Sequence, residues 1–393
     1  MCVDASRSRL FGRAEFLAVV ASAAAPLVAA PASAEPAHPL EPPGPVLVPP
    51  PGLSVGNARA ARIAAASPFV RRTYAATLAL AHSIGDPTLR ASVLALLADP
   101  RPLYAGRHPS PEARADLRKT LLLEGLLTES APLAGIFPPG TEPEALHAPQ
   151  PFWATAGSGE DSHHAYPGGL AVHEYFNATM AAQVAASYDR VYFKDAHTAD
   201  RDVVVAAAFY HDIMKSVVFG WREDGTLLEE TPIAGTGGHH VLSGAEAIVR
   251  GMTPRLVITL LSAHAAPSLG DEVKVVNWCR AAAIVAGVDP IAYGLLRKDG
   301  ARLALAPEYV PIEAFVSYLS DHDFVLSIPA LREVVGRLRQ VTPFPGRYSS
   351  FAWFKNDVLA HLSAVTLYQT LVRGGDAAFD RAVAAFLAGG SSV

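Results

Sequence analysis

The chain has 393 residues, half of them apolar and 18% charged, with a formal net charge of −5. That is enough for one large domain or two ordinary ones around a sizeable core. The acidic balance excludes the basic footprint of a protein that grips a large nucleic acid, but not a small nucleotide ligand.

Residues 1–34 read as an export signal. Arg7, Arg9 and Arg13 give a basic start, Phe16 to Ala34 carries no charge, and "ASA" offers a small-residue cleavage pattern after Ala34. The expected location is therefore periplasmic or secreted. Pro26 and Pro31 in an alanine-rich run argue against a stable membrane span once the signal is gone. Cys2 would leave with the signal and has no lipobox before it. Cys279 is then alone, and no internal disulfide can form. Residues 35–54 form a proline-rich linker, with eight prolines in "EPAHPLEPPGPVLVPPPG".

From residue 55 the periodicity is helical almost throughout, and the class is all-α, a helical bundle. An N-terminal helical region, 55–150, holds "VGNARAARIAAA", "SPFVRRTYAATLALAHSI", "PTLRASVLALLA" and "SPEARADLRKTLLLEGLL", the last opening on Ser-Pro as cap and first helical residue. Residues 131–168 are rich in Pro and Gly and read as a long loop. A core, 151–300, contains "LAVHEYFNATMAAQVAASYD", "ADRDVVVAAAFYHDIMKS", "HHVLSGAEAIVRGM", "TPRLVITLLSAHAA" and "EVKVVNWCRAAAIVAGVDPIAYGLL". A C-terminal extension, 301–393, is predicted to be helical near 311–320, 327–341, 350–373 and 376–388. Strand signals are few, and the best, "VYF" and "ARLALAP", are short.

Histidines and aspartates recur at the ends of the core helices: His173, His211 with Asp212, His240, His264 and Asp289. Successive candidates lie one helix and one turn apart, from 24 residues (240 to 264) to 38 (173 to 211). They can therefore sit on neighbouring helices and point into one core, where bundle proteins build dinuclear sites. Neutral imidazole suits first-row transition metals, and a carboxylate can bridge two ions. With Asp212 bridging, four His and two Asp supply about three ligands per metal. The expected cofactor is two divalent transition metal ions (Mn, Fe, Zn or Ni).

The order His, His-Asp, His, His, Asp resembles the HD-domain superfamily of metal-dependent phosphohydrolases in its dinuclear form. "HHAYPGGLAVH" is similar to the family's "HHxxxGGLxxH", "FYHDIMK" to "LHDIGK" and "GHHVLSGAE" to "GHxxxGxE", while "LLSAH" and "VAGVDPIA" resemble its last two blocks. The match covers residues 160–295. His240 rather than His239 is aligned, because the motif's glycine falls four residues later, at Gly244. The resemblance implies that His173, His211, Asp212 and Asp289 hold one ion and that Asp212, His240 and His264 complete the second. It places Lys215 on the substrate phosphate, with Asp212 and Lys215 the catalytic pair. Met214 stands in place of the usual Gly of "HDIGK", and "AHAAP" in place of "HHG". The implied activity is hydrolysis of a phosphate mono- or diester, of nucleotide type or otherwise, by a metal-bridging hydroxide. The implied partner is a small anionic substrate.

His163, His164 and Tyr166, in the loop before the first block, are candidate substrate contacts, though loop histidines are often only solvated. Asp289 has a bland alternative as a helix terminator ahead of Pro290, and Lys215 as a solvated lysine at a helix end. "SDHDF" (Asp321, His322, Asp323) looks like a second metal motif but reads better as a cap or turn. Arg222, Arg297 and Lys298 would neutralise an anion or simply be solvated. His82, His108, His147, His197 and His361 carry no partner pattern. Two other functions fit the same residues: a di-iron oxygenase of HD type, and an exported HD protein that binds a ligand without turnover.

Overall fold

The computed structural model describes residues 45–141, 147–194, 198–268, 270–306, 310–341 and 345–389. The expected export signal, residues 35–44 of the linker and His197 lie outside these residues. Among the described residues no helix is long and apolar enough to cross a membrane.

The chain is predominantly α-helical, as its periodicity predicts. In order come α1 (Val55–Ala66), α2 (Pro68–His82), α3 (Pro87–Ala98), α4 (Pro111–Leu123), α5 (Gly169–Tyr192), α6 (Arg201–His211), α7 (Lys215–Val218), α8 (Gly238–Val249), α9 (Pro254–Leu261) and α10 (Glu272–Ala286). A hairpin, β1 (Leu296–Asp299) and β2 (Arg302–Leu305), pairs antiparallel with Leu296 opposite Leu305. Then follow α11 (Ile312–Ser320), α12 (Phe324–Leu338), α13 (Phe351–Leu362) and α14 (Ala364–Ala388). The starts are written in the sequence. Ser54, Ser67, Asp86, Ser110, Asp200, Thr253 and Ser350 each cap a helix through a side-chain oxygen, and Pro occupies the first turn of α2, α3, α4 and α9.

Three local expectations are corrected. "VYF" is the end of α5 and the residue after it, because its apolar run merely continues the helix. The helix predicted over 350–373 breaks at Ser363, which has φ 59°, and resumes as α14. The short helix expected near 376–388 is the second limb of α14 beyond Gly375, whose φ of 63° interrupts it. The described parts of the 131–168 segment, 131–141 and 147–168, form loop with short 3₁₀ turns at Leu133–Gly135 and Phe152–Ala154.

Helix α6 is the hub. Every side chain from Val203 to His211 is buried, and α6 packs against α3, α5, α8, α9 and α11. Helix α8 is buried from Gly238 to Ile248. It lies close against its neighbours because Gly244 has no side chain: a Cβ there would come within 2.9 Å of Leu261 and 3.1 Å of Ala282. The N-terminal helices close over this hub, α2 on α5 and α3 on α6.

Two buried carboxylates lock the outer parts onto it. Glu246 of α8 accepts from the Leu103 and Tyr104 amides at 2.7 and 3.0 Å and from Arg250 Nε at 2.7 Å. Glu313 of α11 accepts from the Asp200 amide at 2.6 Å and pairs with Arg255 at 2.5 Å, joining α11 to the starts of α6 and α9. Removing such an acceptor strands several buried donors. Glu246→Ala should therefore cost about 3 kcal/mol, read as a lower urea midpoint with unchanged slope. A change below about 0.5 kcal/mol would mean that the tie is incidental.

Candidate metal centre

Gly168 and Gly169 begin the site. Gly168 adopts φ 86° ahead of α5. A methyl at Gly169 would overlap the His164 carbonyl, so the turn closes only on glycine. One turn into α5, His173 is delivered to the interior. Helix α6 ends on His211 and Asp212, and the chain turns at once into α7, so that Lys215 folds back onto Asp212. Helix α8 brings His239 and His240 in its first turn, and the turn after α9 brings His264.

These side chains meet. His173 Nε2 lies 3.1 Å from Asp212 Oδ2, His211 Nε2 3.3 Å from the same oxygen, and His239 Nε2 3.1 Å from Asp212 Oδ1. The His240 and His264 rings stack with centroids 3.4 Å apart. Asp212, His239, His240 and His264 form one group with donor atoms within 4.8 Å of each other, and His173, Glu174, His211 and Asp212 form another. Asp212 belongs to both. Five of the six predicted ligands (His173, His211, Asp212, His240 and His264) therefore converge, and Lys215 joins them through an ion pair with Asp212 and a 2.5 Å hydrogen bond to the Gly157 carbonyl.

Asp289 does not join them. It is exposed and caps its own turn, accepting from the Ile291 and Ala292 amides at 2.9 and 2.7 Å. Its place is taken by Asp321, from the "SDHDF" turn between α11 and α12. Asp321 Oδ1 lies 3.2 Å from His173 Nε2 and 3.7 Å from His211 Nε2, and Oδ2 lies 2.9 Å from His264 Nε2. Asn177 donates to the same carboxylate at 2.8 Å. Sequence order misled because Asp289 falls at the expected spacing, whereas Asp321 is reached only after the β-hairpin and α11. The surviving signal was the His-Asp-rich "SDHDF" itself.

His239, passed over in favour of its neighbour, is also in the centre. Its Nδ1 is held by the Glu230 carboxylate, which also accepts from the His239 amide at 2.8 Å, so that Nε2 is aimed at Asp212. His163 is half-buried, with its ring 4.7 Å from that of His173. His164 is buried and lies 3.2 Å from Asp323. Tyr166 is sealed in the core at 1% exposure and packs beside the His164 ring, so it supports the loop rather than facing a ligand. Arg222, Arg297 and Lys298 take no part in these contacts.

The electrostatics call for positive charge. Burial raises the Asp321 carboxyl, but His211, His173 and His264 outweigh it and hold it well below the usual range. Asp212 is held down likewise, by His211 and Lys215 against its burial. Burial and Lys215 disfavour charge on His173, yet its contacts to the two aspartates win and raise it to about 9. His211 rises to about 10 against burial through Asp212, Glu174 and Asp321. Burial pushes Glu174 up to about 8, against the pull of His211. The two aspartates thus favour positive charge at these imidazoles, the role that a metal cation would fill.

Among the described residues, both Asp212 oxygens, His211 Nε2, His239 Nε2, His240 Nε2 and His173 Nδ1 are buried without an aligned hydrogen-bond partner. Such atoms are costly unless something else satisfies them. Imidazole and carboxylate donors left open in this way fit metal ions. The class defined by fold and site is thus a predominantly α-helical protein with a buried histidine–aspartate centre that can hold metal. No family model, curated protein or solved structure matches the chain.

Asp321→Asn should weaken metal retention by at least about tenfold, whereas Asp289→Asn should leave it unchanged. Chelator competition on the two variants decides between the two aspartates.

Proposed function

We propose that this chain is a metal-dependent phosphohydrolase of the HD superfamily, exported, that cleaves a phosphate mono- or diester of a small anionic substrate. The observation that carries this reading is the facing pair Asp212 and Asp321, each shared among imidazoles from different helices. One carboxylate common to two donor groups is what a dinuclear site needs. His173, His211 and Asp212 would hold one cation, and Asp212, His240 and His264 the other. Asp321 faces both groups and His239 adds a donor to the second.

Two divalent ions so held would lower the pKa of a water and offset the charge that develops at phosphorus. The chain's own residues do the remaining work. Glu230 fixes the tautomer of His239, and the Ala208 carbonyl, 2.7 Å from His211 Nδ1, fixes that of His211. Lys215, 2% exposed and braced by the Gly157 carbonyl, adds a fixed positive charge beside Asp212 where an oxyanion would otherwise be uncompensated. The surrounding apolar helices exclude water from the centre, while the exposed His264 and half-buried His163 leave it a route to solvent.

The test is metal analysis of the purified protein together with hydrolysis of aryl phosphate mono- and diesters. Bound transition metal, loss of turnover on chelation, and a drop of at least about 10³-fold for Asp212→Ala are expected. Full activity in Asp212→Ala, or turnover indifferent to chelation, would remove the reading.

A further inference from the structure

Adjacent residues in regular backbone carry their side chains in different directions, yet His163 and His164 present the same ring atom to each other. Their Nδ1 atoms lie 3.3 Å apart, with the rings edge to face at 85°. The backbone makes this possible. His164 has φ 56°, a left-handed conformation uncommon outside glycine. Its carbonyl is held there by the Gly157 amide at 2.9 Å and the Tyr166 amide at 2.8 Å, over the space that Gly169 leaves free.

We infer that His163 and His164, with His173, form a further cation site that adjoins the Asp212–Asp321 centre and shares His173 with it, suited to a nitrogen-preferring divalent ion such as zinc. Ring nitrogens that each lie about 2.0–2.1 Å from a tetrahedral ion are separated by about 3.3–3.4 Å, and the observed 3.3 Å is that edge. The Asp323 carboxylate lies 3.2 Å behind His164, at Nε2. A carboxylate in that place keeps the proton on Nε2 and leaves the Nδ1 lone pair facing His163, the usual support of a metal-binding imidazole. The third donor is at hand: His163, His164 and His173 offer nitrogens within 4.8 Å of one another. His173 turns Nε2 toward Asp212 and Asp321, and its Nδ1 is buried without a hydrogen-bond partner among the described residues; with both sites loaded the ring would serve them as a bridging imidazolate, its last ring proton released to solvent on metal binding.

Three protein nitrogens leave a tetrahedral ion one open position, the pattern of a site that meets water or substrate. His163 is half-buried and flanked by the Phe324 ring at 6.4 Å, so that position is reached from solvent past an apolar wall. The site does not depend on the phosphoester reading, because it needs only the loop, His173 and Asp323.

The full chain, stripped with chelator and reloaded with Zn²⁺ or Co²⁺, is assayed for bound equivalents and for the visible absorption of tetrahedral Co²⁺. His163→Gln should bind one equivalent fewer than the parent and lose part of the Co²⁺ absorption, while keeping the equivalents that Asp212→Asn loses. Asp323→Asn should bind the same equivalent about 10- to 100-fold more weakly, and His163→Gln, at a half-buried loop position, should melt with the parent. If His163→Gln keeps the parent's full complement and spectrum, the two histidines are a hydrogen-bonded pair and this inference fails, while the central site stands. If the parent takes up no cation at all, both fall.

Discussion

Two carboxylates sealed in a helical core set the terms for this molecule. Asp212 is fully buried and Asp321 nearly so, and an ionised carboxylate away from water is tolerated only beside compensating positive charge. The compensation comes from Lys215 and a ring of imidazoles on α5, α6, α8 and the turn after α9. Because the imidazoles that contact the aspartates, His173, His211, His239 and His264, come from four different elements, the aspartates can be satisfied only when all of those elements are docked. The centre is thus costly to the isolated helices and binding only for the assembled fold.

The rest of the structure keeps these elements in register. Glu246 joins α8 to the N-terminal region, and Glu313 ties α11 to the starts of α6 and α9, which determines where the "SDHDF" turn sits. Gly244 lets α8 approach α9 and α10, and Gly169 lets α5 begin against the His163–His164 loop. These motif positions are packing devices. Glu246, the acid of "GHHVLSGAE", bonds among the described residues to the Leu103 and Tyr104 amides and Arg250 and serves as an anchor for residues 103–104.

The proposed chemistry and the proposed additional cation site share one feature, carboxylates placed behind or between histidines. Glu230 stands behind His239 and Asp323 behind His164, while Asp212 and Asp321 stand between their neighbours. A carboxylate behind a ring decides which nitrogen carries the proton, and so which lone pair is offered inward. His239 and His240 are adjacent, yet Glu230 engages only the first, leaving His240 to pack against His264 and Trp278.

Helical periodicity, N-caps and Pro or Gly punctuation determined the fold class and most element limits, because those signals act within one or two turns of chain. The order of the motifs also put His173, His211, Asp212, His240 and His264 on neighbouring elements, and these side chains come together in the fold. Only the tertiary structure decided the last acid. Asp289 follows α10 and Asp321 ends α11, and the His-Asp-rich "SDHDF" was the single local hint between them; what separates them is the docking of α11 through Glu313, a contact more than a hundred residues long in sequence. The same holds for His239 and His164, whose orientations depend on carboxylates at 230 and 323 that approach only when the chain is folded. Propensity is local, whereas the direction of a side chain toward a common centre is set by packing.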